Sequence, residues 1–154
     1  MLSNVLVIDD DAKIRDIFST ALNDAGYLVE TVENGKQAIN VCKKTPFDIA
    51  LIDIELPDIK GIELLNTLRQ IQPKMVRIII TGHPSIENAV KSVNEKADGY
   101  LLKPVNIEEM LEMIKKIRAE KTNEYVEMLK TVEHAKESTP LSKYQTPYRW
   151  RVSE

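Results

Sequence analysis

Three observations predict a doubly wound α/β fold with a five-stranded parallel sheet for this chain of 154 residues. Five short runs rich in β-branched residues recur along it, and amphipathic stretches at helical spacing separate them. Several of the runs are apolar at nearly every position, which indicates strands covered on both faces, as in a parallel sheet between helices. Strands and helices that alternate through right-handed crossovers leave few other topologies open.

The first run, residues 5–8, ends on three successive acids, Asp9, Asp10 and Asp11. A helix is predicted over 11–25, where Ile14, Ile17, Phe18, Ala21 and Leu22 form a stripe and Gly26 is placed to end it. The second strand falls at 27–32. The helix at 36–44 carries Ala38, Ile39 and Val41, with Asn34 before it as a cap. The third strand, 47–52, leads into Asp53. Residues 61–71 place Ile62, Leu64, Leu65, Leu68 and Ile71 at helical spacing and stop before Pro73. The fourth strand, 76–80, precedes Thr81. In the helix at 85–93, Ser85 is the cap and Asn88 stands where a capping-box acid belongs. The fifth strand, 99–102, is followed by Lys103, and the last helix begins near Asn106, after Pro104.

Composition narrows the function classes. A hydrophobic content of 43% supports a real core, and the length fits one domain with a short extension. The net charge of −3 gives no overall basic field, so no nucleic-acid partner is expected from charge balance. The single cysteine, Cys42, excludes an internal disulfide and fits a reducing compartment. The apolar start meets acid too soon for a signal peptide, and no run approaches the roughly 20 apolar residues of a membrane span. A cytoplasmic protein without membrane insertion is expected.

In open α/β sheets ligands bind beyond the carboxyl ends of the strands. The residues that follow the strands are therefore the candidate site: the acids Asp9 to Asp11, then Asp53, Thr81 and Lys103. Carboxylates, a hydroxyl and an ammonium on one rim suit a divalent cation and a phosphoryl group.

The constellation resembles the receiver domain of two-component response regulators, with a flavodoxin-like fold, over residues 4–119. Asp9-Asp10 matches the acidic pair, and Asp53, with Pro57 and Gly61 downstream, matches the phosphoaccepting aspartate. Thr81-Gly82 matches the switch hydroxyl and its small neighbour, Lys103-Pro104 the lysine–proline pair, and Tyr100 the aromatic switch position. The resemblance implies Mg²⁺ bound by Asp10, Asp53 and the Glu55 backbone carbonyl, with Asp9 acting largely through a water. It implies that Asp53 takes a phosphoryl group from a sensor histidine kinase or phosphotransfer protein, assisted by Lys103 and Thr81. Thr81 would then move and Tyr100 would follow, reshaping a surface read by a downstream partner protein. Such a protein is no enzyme beyond its own phosphorylation and dephosphorylation. The Lys103–Pro104 bond is a candidate cis peptide.

Plainer roles stand beside these. Asp11 reads as the first acid of a helix, His83 and His134 as surface residues, and Cys42 as a core residue. Glu55 lies two positions beyond Asp53, where an acid side chain can add negative field at the rim or point to solvent. Tyr100 is also what an ordinary half-buried strand would carry.

The expected receiver covers 1–119 and an extension covers 120–154, helical to about 137 and then an aromatic and basic tail. No Pro or Gly occurs from 106 to 138, and Ile107, Leu111, Ile114, Arg118, Lys121, Tyr125, Met128, Val132 and Ala135 form a heptad-like seam. A continuous coiled-coil helix forming a homodimer is one reading. The favoured one is a break around residues 120–123, with Asn123 capping a separate or bent helix. The tail holds Tyr144, Tyr148, Arg149, Trp150 and Arg151, a mixture that can bind nucleic acid, anionic surfaces or a partner protein, but the favoured reading is a flexible tail or one whose aromatics cover the extension's own apolar face.

The leading function is a phosphorylation-dependent switch that signals through a partner protein and lacks a conventional DNA-binding output domain. One alternative is an Mg²⁺-dependent phosphohydrolase of the haloacid dehalogenase type, suggested by the spacing of Asp9 and Asp11. Lys13 departs from that family's usual Thr or Val. Another is a regulator that binds DNA through its tail.

Overall fold

The computed structural model describes residues 3–138. Its sheet contains β1 (Asn4–Ile8), β2 (Leu28–Val32), β3 (Ile49–Asp53), β4 (Val76–Thr81) and β5 (Gly99–Leu102), in the order β2-β1-β3-β4-β5. Every pairing is parallel. The connecting helices are α1 (Ala12–Asp24), α2 (Gly35–Lys44), α3 (Gly61–Ile71) and α4 (Ile86–Asn94), and α5 (Ile107–Ser138) follows β5. The doubly wound fold predicted from the runs is the fold observed.

Alternation along the central strands divides the core between two faces. Leu6, Ile8, Ala50, Ile52 and Ile79 pack with Ala38 of α2 and Leu64, Leu65 and Leu68 of α3. Val5, Val7, Ile49, Leu51, Ile78 and Ile80 pack with Phe18 and Leu22 of α1 and Met110 and Ile114 of α5. β3 and β4 are buried at every position, whereas edge strand β2 is mostly exposed. Cys42 is buried in the first cluster, and burial, reinforced by the Glu30 charge, pushes its thiol up to about 11. It is a packing residue, not a nucleophile.

Local chemistry sets the element ends. Asp11 caps α1, accepting the Lys13 N–H at 2.9 Å, and Asn34 caps α2, accepting the Gln37 N–H at 2.8 Å. Gly26, at φ +94°, closes α1: its N–H bonds Asn23 O and the Tyr27 N–H bonds Leu22 O. Tyr27 thus belongs to the helix stop rather than to the strand, which begins at Leu28. Ser85 caps α4, accepting the Asn88 N–H at 3.0 Å. A Cβ at Gly61 would meet the Asp53 carbonyl oxygen at 2.6 Å, so α3 can start against the end of β3 only with glycine there.

Arg77 of β4 is a buried charge among these apolar strands, 3% exposed. Its guanidinium donates to Leu65 O of α3 at 2.9 Å, and to Glu95 O at 3.4 Å and Lys96 O at 2.8 Å beyond the end of α4. Asp98 accepts the Arg77 backbone N–H at 2.8 Å. Among the described residues Nε has no partner. Arg77 therefore ties α3 to the turn after α4, where the Glu95 and Lys96 carbonyls have no further helical turn to donate to them. Arg77→Ala strips those carbonyls of their donors, and urea unfolding should show a loss of about 3 kcal/mol. A loss below about 1 kcal/mol would mean the carbonyls find other donors.

The chain divides into two units, Met1–Ile117 and Arg118–Glu154. α5 runs from Ile107 to Ser138 without interruption, so the break expected at 120–123 is absent. Thr122 turns its hydroxyl onto Arg118 O at 2.9 Å, a contact made inside a continuing helix, and Asn123 caps nothing. In the second unit Tyr125, Val126, Met128, Leu129 and Val132 are 41–56% exposed. The aromatic and basic tail lies outside the described residues. No described helix is long and apolar enough to cross a membrane.

Candidate functional site

Parallel register decides which side chains meet. β1 and β3 align Ile8 with Ile52, so the next residues, Asp9 and Asp53, leave the sheet side by side. β3 sets Asp53 opposite Ile80, the neighbour of Thr81, and β4 sets Thr81 opposite Leu102, the neighbour of Lys103. Four adjacent strands thus deliver their terminal polar residues to one edge. Asp9 and Asp53 are only 2% and 4% exposed, whereas Asp10 is open to solvent.

Carboxylate oxygens of Asp9, Asp10 and Asp53 lie within 4.8 Å of one another, the one such grouping of potential metal ligands among the described residues. Lys103 Nζ stands 2.9 Å from Asp9 Oδ2 and 3.3 Å from Asp53 Oδ2. Asp9 Oδ1 accepts the Asp11 N–H at 2.9 Å, and Asp53 Oδ1 accepts the Glu55 N–H at 3.1 Å. The Lys103–Pro104 peptide is cis.

Burial pushes the Asp53 carboxyl up to about 6; the Glu55 N–H opposes this, the Asp9 charge adds to it, and Lys103 opposes it. Burial acts downward on Lys103, but hydrogen bonding to Asp9 and the charges of Asp53 and Asp9 outweigh it, so its ammonium is held above the usual range. One ammonium among three carboxylates leaves two negative charges, which matches one divalent cation. The donor set is all oxygen, and octahedral ligation at about 2.1 Å places neighbouring oxygens about 3 Å apart and opposite ones about 4 Å apart. The cluster fits a hard divalent cation.

The remaining candidates fall around this centre. Thr81 is fully buried, and its Oγ1 accepts the His83 N–H at 3.0 Å. The exposed His83 imidazole lies 3.6 Å from the Glu55 carboxylate. Tyr100 packs against the α2–α3 side of the core, with its hydroxyl buried and, among the described residues, without a hydrogen-bond partner. Asp11 belongs to the α1 cap rather than to the carboxylate cluster. His134 is exposed on α5.

Residues 5–115 match the response regulator receiver domain family. The chain belongs to that family. It is 36% identical over 113 residues to the DNA-binding transcriptional regulator NtrC of Escherichia coli, covering 73% of this chain and 24% of that protein. A receiver domain protein (CheY-like) from Methanospirillum hungatei superposes with a TM-score of 0.76 at 38% identity, covering 80% of this chain and 99% of that one. A response regulator from Burkholderia pseudomallei, solved with a phosphorylated aspartic acid, a calcium ion and citrate, gives 0.70 at 31% identity, covering 79% and 74%. The chain spans 24% to 49% of the length of the curated relatives NtrC, SilR and CtrA.

Two supports of this receiver's site were not foreseen from sequence. Arg15 Nη1 donates to Asp9 O at 2.6 Å, pinning the backbone between the strand and α1. Its place one turn into the helix is the signal that could have found it. Asp58 accepts the Gly35 and Lys36 N–H groups of α2, each at 2.9 Å, and no local pattern announces that pairing.

Proposed function

We propose that this receiver accepts a phosphoryl group on Asp53 from a sensor histidine kinase or phosphotransfer protein, with Mg²⁺, and passes the change to a downstream partner protein. The observation that carries the reading is Lys103 Nζ seated between the Asp9 and Asp53 carboxylates beside exposed Asp10. Asp10, Asp53 and the Glu55 carbonyl would hold Mg²⁺ directly, with Asp9 behind a water. The cation supplies charge neutralisation at the phosphoryl oxygens.

The chain's own groups do the rest. Asp53 supplies the nucleophilic oxygen; its bond to phosphorus forms as the phosphorus–nitrogen bond of the donor phosphohistidine breaks, and that electron pair leaves with the imidazole. Lys103 provides a compact charge for a phosphoryl oxygen. The Thr81 hydroxyl, which now accepts the His83 N–H, would rearrange to donate to the new group when it forms. That rearrangement is the switch, because a ligand shifts an equilibrium only through contacts better made in one state. Tyr100 is placed to respond, since a buried hydroxyl without a partner costs free energy where it is.

The output face we assign is α4–β5–α5. Ile86, Val90, Val93 and Leu102 are 51–85% exposed there, and α4 buries only Ser92. Asp11 supports this reading over the phosphohydrolase, since its carboxylate is committed to the α1 cap. Chemistry on substrates other than its own phosphoryl group is not expected. Incubation with acetyl phosphate and Mg²⁺ should add one phosphoryl group, and EDTA should prevent it; no phosphorylation under either condition would contradict the reading.

The continuous α5 favours self-association, because Tyr125, Met128 and Val132 repeat at heptad spacing and are all exposed. The full chain should sediment as a concentration-dependent dimer and Met128→Lys as a monomer. A wild-type monomer at every concentration would remove the dimer. The name of NtrC keeps DNA binding through the tail as a second reading. It requires steeply salt-dependent affinity that is lost when residues 141–154 are removed.

A further inference from the structure

The loop from β3 to α3 carries the Glu55 backbone, and its base is well held. The Glu55 N–H bonds Asp53 Oδ1, Glu55 and Lys60 form an antiparallel bridge, and the Gly61 N–H bonds Ile54 O at 2.9 Å. The loop's tip is tied elsewhere. Asp58 gives Oδ1 to the Gly35 N–H and Oδ2 to the Lys36 N–H, each at 2.9 Å. These are the first two N–H groups of α2, 22 and 23 residues away in sequence, which the Asn34 cap does not reach because it accepts from Gln37.

The contact is built on both sides. A Cβ at Gly35 would collide with the Ile59 side chain, so any larger residue there forces Ile59 and the loop that carries it to shift. The two bonds, followed by those within the loop, hold the exposed Asp58 carboxyl below the usual carboxylate range. A carboxylate at the positive end of a helix is the favourable arrangement of charge.

We propose that Asp58 is a positioning residue: by gripping the N-terminus of α2 it fixes the loop and, through it, the Glu55 backbone that the cation site requires. The inference rests on the reading of Asp9, Asp10, Asp53 and Glu55 as an Mg²⁺ site. Asp58 does not touch the cation. It sets the conformation of the loop that does, as an outer partner orients a metal ligand.

The test measures Mg²⁺ affinity by calorimetry, together with the rate of labelling by acetyl phosphate at increasing Mg²⁺, for the wild type, Asp58→Ala, Gly35→Ala and the double variant. Thermal melts report fold retention. Asp58→Ala should raise the Mg²⁺ concentration at half-saturation about tenfold, while the rate at saturating Mg²⁺ returns close to wild type. Gly35→Ala breaks the same contact from the other side. Its effect should not add to that of Asp58→Ala in the double variant. If Gly35→Ala fails to fold, the split between half-saturation and maximal rate in Asp58→Ala still decides. Unchanged Mg²⁺ affinity in Asp58→Ala, additive effects, or a rate that saturating Mg²⁺ does not restore would each overturn the inference while leaving the Asp53 reading standing. Absence of Mg²⁺ binding by the wild type would overturn that reading and this inference with it.

Discussion

Asp53→Asn should reduce labelling by acetyl phosphate or by a cognate kinase to background in the presence of Mg²⁺. The amide nearly matches the carboxylate in shape, so the sheet edge and the Glu55 N–H contact can persist while the anionic nucleophile is gone. The substitution also removes one of two buried carboxylates that repel each other across Lys103. The folded variant should therefore be at least as stable as the wild type in urea without metal, because burial already pushes the Asp53 carboxyl up to about 6. Lost labelling with an intact fold separates a reacting group from a structural one. Retained labelling at the wild-type rate would remove Asp53 from the mechanism.

Lys103→Ala should separate cation binding from phosphoryl transfer. Its ammonium holds Asp9 and Asp53 at 2.9 and 3.3 Å, and a divalent cation must share those carboxylates with it. Without the lysine the cluster is more negative, so Mg²⁺ affinity should stay the same or rise. The rate of phosphoryl transfer should fall by about a hundredfold or more, the scale of losing one charge fixed where charge develops. In metal-free buffer the variant should be destabilised, because two nearly buried carboxylates lose their shared cation. Added Mg²⁺ should restore that loss. Calorimetry and labelling on one preparation give both readings, and a parallel collapse of affinity and rate would make Lys103 a structural prop.

The carboxyl-edge constellation could be read in the sequence because it depends on strand ends alone. Once 5–8 and 47–52 are strands in a parallel sheet, Asp9 and Asp53 must emerge together. The central strands were legible for a related reason: burial on both faces demands continuous apolar runs. Boundaries were harder where a side chain overrode the pattern. Phe47 looks like strand, yet its N–H is taken by the Gln72 side chain at 2.9 Å, and β3 begins only at Ile49.

Long-range polar pairing was not legible. Arg77 reads as a charged interruption in an apolar strand, and nothing local says that helix-terminal carbonyls 18 and 19 residues later need its guanidinium. Asp58 reads as a turn residue beside Pro57, and its partners lie on another helix. The expected break at 120–123 failed for the opposite reason. Thr and Asn are weak helix formers, but the cost is small, the Thr122 hydroxyl is accommodated on Arg118 O, and with no Gly or Pro nearby α5 continues.

Every proposed step depends on Asp53 as the carrier of the phosphoryl group. The most direct measurement is to phosphorylate the protein with acetyl phosphate and Mg²⁺, reduce the acyl phosphate with borohydride, and map the altered residue by mass spectrometry. One altered aspartate, Asp53, is expected, and none when EDTA replaces Mg²⁺. Modification at Asp9 instead, accompanied by rapid turnover of small phosphoesters, would contradict that role and identify a phosphohydrolase.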